Sequence, residues 1–281
     1  MTPNATLQRV SPERIQQVTK LYQEGVANAN IQAILHMTFR TIKKILEVYG
    51  VKRTRSHQIQ FGKNGSTVFH NCLDQLTPEA LYWIGFLYAD GHVDKDRPRI
   101  TLTLAAIDIE HLNKFKQFFG TGITTREVKA STTAPGQVNM EGKHYRVAFS
   151  SGKIYGRLHE LGFTHNKTYG IIPHELLKNS RDFWRGVIDG DGWLFNTIQK
   201  SIGLCGLECT LKYFMDFINA IGVNSRAMPR KNKRRNGIWQ IELHSHKAQR
   251  TADILYKDAS VYLDRKYQKY LEFTPNLNQA A

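Results

Sequence analysis

Cysteine is scarce in this chain of 281 residues: Cys72, Cys205 and Cys209 are too few, and odd in number, for a disulfide scaffold, so a reducing compartment is expected. No run of about 18 apolar residues occurs, which leaves no candidate membrane span, and no membrane association is expected. The opening MTPNATLQRV has neither the charged nor the apolar segment of a secretory leader. The expected location is intracellular: the cytoplasm of a microbe, a phage-infected host or an organelle.

Acid is scarce relative to base. Lys and Arg number 39 against 24 Asp and Glu, for a formal charge of +15 and a pI near 9.7. That balance favours a polyanionic partner, nucleic acid before others. Apolar residues, at 41%, are ample for one large core or two smaller ones. Zinc on Cys205, Cys209, His244 and His246 is disfavoured, because the cysteine pair falls at an apolar strand-to-helix junction and the histidines alternate along an expected strand.

Residues 11–49 read as helices. SPERIQQVTKLYQEG opens with Ser11 as N-cap and Pro12 in the first turn, puts Ile15, Val18, Leu21 and Tyr22 on one face, and stops at Gly25. NIQAILHM and TFRTIKKILEVYG follow, with Thr38 as a cap, Ile42, Ile45 and Leu46 inward, and Arg40, Lys43 and Lys44 outward. This pattern resembles the small resolvase-like helix-turn-helix domains, whose second helix enters the major groove. A helix-turn-helix domain over 1–51 is expected, then a basic linker over 52–76 whose Arg53 and Arg55 are suited to a phosphate backbone.

The remainder repeats itself. LTPEALYWIGFLYADGHV matches NSRDFWRGVIDGDGWL, RITLTLAAIDIEHLNKFKQFFG matches SIGLCGLECTLKYFMDFINAIG, and YRVAFSSGKIYGRLHELG matches WQIELHSHKAQRTADILYKD. Each unit reads helix, strands, helix, strands, helix, giving halves at 77–170 and 171–281. A duplication of this kind yields a monomer that acts as a pseudo-dimer, with lobes related by a pseudo-twofold axis.

Gly85 and Ala89 in WIGFLYADG, and Gly186 and Gly190 in WRGVIDGDG, put small residues four apart on one helical face, so two helix backbones can touch there. Their ends then meet, with Gly91 and Gly192 expected as left-handed caps and Asp90 beside Asp191. A carboxylate in the last helical turn opposes the macrodipole by about 0.3–1 kcal/mol, and two such groups repel. A hard divalent cation offsets both effects.

These two stretches resemble the paired motifs of single-chain LAGLIDADG homing endonucleases, and the likeness runs over residues 77–275. Trp83 and Trp184 replace the leading Leu, and Tyr88 stands where an acid is common. The resemblance implies an α+β fold: a pseudo-twofold duplicated αββαββα core with saddle-shaped antiparallel sheets in the DNA major groove, here preceded by the small all-α domain. It implies that Asp90 and Asp191 bind Mg²⁺ (or Mn²⁺), helped by the main-chain oxygens of Ala89 and Gly190, and cut one strand each. The family's basic residue near the scissile phosphate corresponds to Lys167 and Lys266, which follow their aspartates at nearly equal separations.

For the groove itself, RPRITLTL offers Arg97, Arg99, Thr101 and Thr103 at period two, and WQIELHSHK offers Gln240, Glu242, His244 and His246. RAMPRKNKRRNG supplies Arg230, Lys231, Lys233, Arg234 and Arg235 as a basic hairpin for phosphates. The expected activity is site-specific, metal-dependent double-strand DNA cleavage at a long pseudo-palindromic target, as in intron homing by a mobile element. Two alternatives stand beside it: a non-catalytic DNA-binding regulator, and a maturase that binds intron RNA.

Overall fold

The computed structural model describes residues 10–52, 67–120, 122–128, 142–164, 173–196, 199–233 and 237–273. The chain forms two compact units, Met1–His70 with Lys116–Thr124, and Asn71–Phe115 with Thr125–Ala281.

In the first unit three helices enclose a small core: α1 (Pro12–Gln23), α2 (Asn28–Leu35) and α3 (Phe39–Val48). Ser11 Oγ caps α1 by accepting from Arg14 N at 3.4 Å, and Gly25 takes a positive φ of 89° just beyond its end. His36 ends α2 in the left-handed conformation, and two residues later Thr38 Oγ1 caps α3 by accepting from Thr41 N at 3.2 Å. Val18, Ile31, Met37, Ile42, Ile45 and Leu46 meet in the centre. Arg40 and Lys43 are exposed on α3, and Lys44 is half-buried.

The second unit contains the duplication except for Lys116–Thr124, which includes the last residues of the helix Ile109–Phe119. Its first half runs α4 (Pro78–Asp90), β1 (Gly91–Val93), β2 (Arg99–Ala105), α5 (Ile109–Phe119), β3 (Thr125–Val128), β4 (His144–Ser150) and α6 (Gly152–Glu160). A short α7 (Glu175–Lys178) leads into the second half: α8 (Arg181–Asp191), β5 (Gly192–Phe195), β6 (Ser201–Gly206), α9 (Glu208–Ala220), β7 (Arg230–Lys231), β8 (Trp239–His244) and α10 (Ser245–Tyr256). Helix α11 (Asp264–Phe273) follows. Each half has one antiparallel four-stranded sheet, in the orders β1-β2-β4-β3 and β5-β6-β8-β7.

One face of each sheet is apolar. Ile100, Leu102, Leu104, Val147 and Phe149 are buried in the first, and Ile202, Leu204, Ile241 and Leu243 in the second. The packing repeats with the sequence. Trp83 meets Phe115 with ring centroids 5.4 Å apart, and their counterparts Trp184 and Phe217 stand 6.3 Å apart, with Phe214 nearer to Trp184 at 5.3 Å.

The motif helices α4 and α8 pack on one another without an intervening side-chain layer. A Cβ at Gly85 would overlap the Phe183 carbonyl oxygen, and one at Gly186 would overlap the carbonyl oxygen of Tyr82, the counterpart of Phe183. At Gly190 it would overlap the Cβ of Ala89. Because each contact is matched by its mirror in the other half, the helix pair has the reciprocity of a twofold interface.

One local expectation is corrected. Gly91 (φ −70°, ψ 159°) and Gly192 (φ −99°, ψ −179°) are extended, not left-handed, because β1 and β5 start at these residues. Glycine is required there for another reason: a Cβ at Gly91 would lie 2.6 Å from Leu87 O, and one at Gly192 2.7 Å from Ile188 O.

Two alanine substitutions separate these effects. In Gly186→Ala the new methyl meets the backbone of the facing helix, so chemical denaturation should show a loss of about 2–3 kcal/mol or more. Gly156→Ala, in α6 with nothing within 4 Å of the added Cβ, should instead gain about 0.5–1 kcal/mol from helix propensity.

Candidate active site and nucleic-acid interface

Asp90 and Asp191 end α4 and α8, and both are exposed although the residues before them are mostly buried. The helix ends converge: a Cβ at Gly190 would lie 3.3 Å from Asp90 Oδ2. Both carboxylates act on the same cation, Lys266, each favouring its charged form.

Lys266 lies in the first turn of α11 and is 4% exposed. Its ammonium donates to Ile188 O at 2.6 Å and to Asp189 O and Gly192 O at 2.7 Å each, so all three protons are used at the carboxyl end of α8. A cation at that end complements the helix macrodipole and offsets the nearby acids. Burial lowers the Lys266 pKa to about 8, against the raising influence of Asp189, Asp90 and Asp191.

Asp189 is buried beside them. It accepts from Tyr256 Oη at 2.6 Å on Oδ1, and from Tyr82 Oη and Leu263 N at 2.8 Å each on Oδ2. Burial raises its pKa, opposed chiefly by Lys266. Tyr82 comes from the first half, so this bond crosses between the duplicated halves. Having given its only proton to Asp189, Tyr82 Oη accepts from His111 Nε2 at 3.0 Å. Burial holds His111 neutral by lowering its pKa to about 3.

The counterpart of Asp189 is Tyr88. Its ring packs edge-on against Phe183 at 5.6 Å, and its hydroxyl shares a 2.8 Å hydrogen bond with Thr210. One duplicated position thus carries an ionic network in the second half and an aromatic contact in the first.

The other expected site residues are spread over both units. Lys167, Arg53, Arg55, Arg234 and Arg235 lie outside the described residues. Arg99 and Thr101 occupy the solvent-facing side of β2, whereas Arg97 falls in the turn before it, because the strand begins only at Arg99. Arg230 and Lys231 form β7, with Lys233 exposed just after. Gln240 and His244 share the open face of β8; His246 does not, since the strand ends at His244 and α10 begins. Asp108 pairs with Arg265 at 3.0 Å, and Glu208 with Lys212 at 2.7 Å.

Sequence reasoning missed Arg126 and Arg146, which face each other across β3 and β4 on the open side of the first sheet. Alternation in HYRVAFS was the available signal. It also missed Arg185, buried at the centre of α8, which donates to Val261 O at 2.9 Å and Leu255 O at 3.0 Å and pairs with Asp182 at 2.7 Å.

A double mutant of I-SmaMI superposes with a TM-score of 0.50 at 12% identity, over 73% of this chain and 96% of that one. I-SmaMI, a LAGLIDADG homing endonuclease, bound to cleaved DNA gives 0.48 at 12% identity, over 72% and 88%. I-WcaI, bound to its DNA recognition sequence, gives 0.48 at 15% identity, over 79% and 96%. The fold is that of the LAGLIDADG homing endonucleases. No protein-family model and no curated protein matches the sequence.

Within this LAGLIDADG fold the donors fit a hard cation better than a soft one. Asp90, Asp191 and nearby main-chain carbonyls offer only oxygen, and magnesium is commonly held by one or two carboxylates with water and phosphate filling the remaining positions. Among the described residues no group of three or more His, Cys, Asp or Glu forms a self-sufficient metal cage. No helix among the described residues is long and apolar enough to cross a membrane.

Two measurements probe the network. Lys266→Met leaves Asp189 buried without its cation, and denaturant unfolding should show a loss of about 3–5 kcal/mol, partly recovered in Lys266→Met/Asp189→Asn. His111 titrates near 6.5 when unfolded and near 3 when folded, so the unfolded state binds the extra proton between these values. Its contribution is complete above pH 6.5 and is lost progressively towards pH 3. The melting temperature of His111→Gln should therefore fall less steeply with acidification than that of the wild type.

Proposed function

We propose that this protein is a site-specific, divalent-metal-dependent double-strand DNA endonuclease, acting as a monomer with two pseudo-equivalent half-sites. The reading is supported above all by the reciprocal seam of α4 and α8, where two small-residue faces bring two exposed aspartates together in a strongly basic chain. A pure DNA-binding protein gains nothing from adjacent carboxylates that repel each other and phosphate.

In this reading Asp90 and Asp191, with the main-chain oxygens of Ala89 and Gly190, hold Mg²⁺ or Mn²⁺. Such an ion supplies Lewis acidity for phosphodiester hydrolysis. The chain's own residues position everything else. The glycine seam fixes the separation of the acids, and Lys266 ties down the end of α8 and tempers their mutual repulsion. Lys167 is the expected counterpart of Lys266 in the first half.

The open sheet faces supply side chains to the major groove, Arg99 and Thr101 from one and Gln240 and His244 from the other. Arg97, Arg230, Lys231, Lys233, Arg234 and Arg235 contact phosphates. Helices α2 and α3, joined through the left-handed His36, act as a helix-turn-helix whose Arg40, Lys43 and Lys44 engage a second stretch of duplex, with Arg53 and Arg55 on the intervening backbone.

The decisive assay compares wild type, Asp90→Asn and Asp191→Asn on a library of duplex targets with magnesium. Wild type should cut both strands, and each variant should lose double-strand cleavage by at least about a hundredfold while retaining DNA affinity. Equal cleavage by all three would remove the assignment. Binding without cleavage by the wild type would favour the regulator reading.

A further inference from the structure

The open faces of the two sheets are equivalent in the duplication but differ in chemistry. In the first, Arg99, Arg126 and Arg146 project beside His92, Thr101 and Thr103, and Arg146 Nε donates to Thr103 Oγ1 at 3.1 Å. That face carries base and hydroxyl. In the second, the registers put Gly203 and Cys205 where the first has Thr101 and Thr103, and Gln240 and Glu242 where it has Arg146 and Ala148. The acid is therefore particular to the second half.

Glu242 is also held in place. A side chain at Gly203 would overlap the indole of Trp193, so its absence lets that ring lie across β6. Trp193 Nε1 reaches Glu242 Oε1 at 3.2 Å, and Arg230 donates to Oε2 at 3.3 Å. His244 Nε2 stands 3.9 Å from the same oxygen. These partners come from β5, β7 and β8. They fix the carboxylate and use one lone pair on each oxygen, while the side chain keeps 19% exposure.

A fixed carboxylate on a face turned to a polyanion is repelled by phosphate, so contact is favourable only where the duplex offers it a donor. In the major groove that donor is an exocyclic amino group, cytosine N4 foremost and adenine N6 second. We propose that Glu242 is a specificity-determining residue that selects an amino-bearing base in one half-site, making the two half-sites of the target chemically unequal. This rests on the DNA reading given above.

The test uses the full-length protein, a pool of randomised duplexes and no divalent metal, so that binding is read without cleavage. Wild type should enrich a consensus in which one position prefers cytosine or adenine over the other bases by about tenfold or more, the base itself telling the two apart. In Glu242→Ala that preference should fall below about threefold while the remaining consensus persists. Trp193→Phe, which keeps a ring over Gly203 but removes the donor, should weaken the same position alone, and it decides the matter if Glu242→Ala does not melt cooperatively. A consensus unchanged in these variants overturns the role of Glu242 but leaves DNA recognition standing. Failure of the wild type to enrich any sequence overturns both.

Discussion

The contact on which the rest of the second unit depends is the direct meeting of two helix backbones. Gly85 against the Phe183 carbonyl, Gly186 against the Tyr82 carbonyl, and Gly190 against Ala89 leave no room for any larger side chain. A hydrophobic seam would hold two helices together but would keep their axes a full side-chain layer apart. The glycine seam instead joins their carboxyl ends, where the helix dipoles and two aspartates concentrate negative charge. Bringing these groups together costs free energy, and the fold supplies one compensating cation from its own chain in Lys266, whose three protons all go to the end of α8.

The duplication is reciprocal in its backbone but not in its polar chemistry. Trp83 with Phe115 and Trp184 with Phe217 preserve one aromatic pair in both halves. Asp189, by contrast, gathers Tyr82, Tyr256 and Leu263 N, while Tyr88 meets Phe183 and Thr210. The buried carboxylate stands only in the half whose partners satisfy it. The open sheet faces diverge in the same way, with arginines on one side and a framed glutamate on the other.

Much of this was legible in the sequence, for identifiable reasons. The repeat is visible because helix, strand and small-residue spacing recur together, and the caps Ser11 and Thr38 follow from local chemistry alone. Gly91 and Gly192 show the limit of such rules: glycine after a helix suggests a left-handed cap, yet here close packing demands it and the backbone is extended. The strand ends at Arg99 and His244 are not legible, since alternation continues by chance to Arg97 and His246, past the last paired residues. The setting of Lys266 and the bond from Tyr82 to Asp189 were not legible at all. A lysine's default is solvent, and the tyrosine and aspartate lie 107 positions apart, in different halves.

We propose that one backbone seam creates one shared acidic seat for a divalent ion. It is tested most directly by a crystal structure of the full chain soaked in manganese, using the anomalous signal of the metal. A manganese peak flanked by the carboxylates of both Asp90 and Asp191 is expected. Aspartates on separate surfaces, or manganese bound only elsewhere, would contradict it.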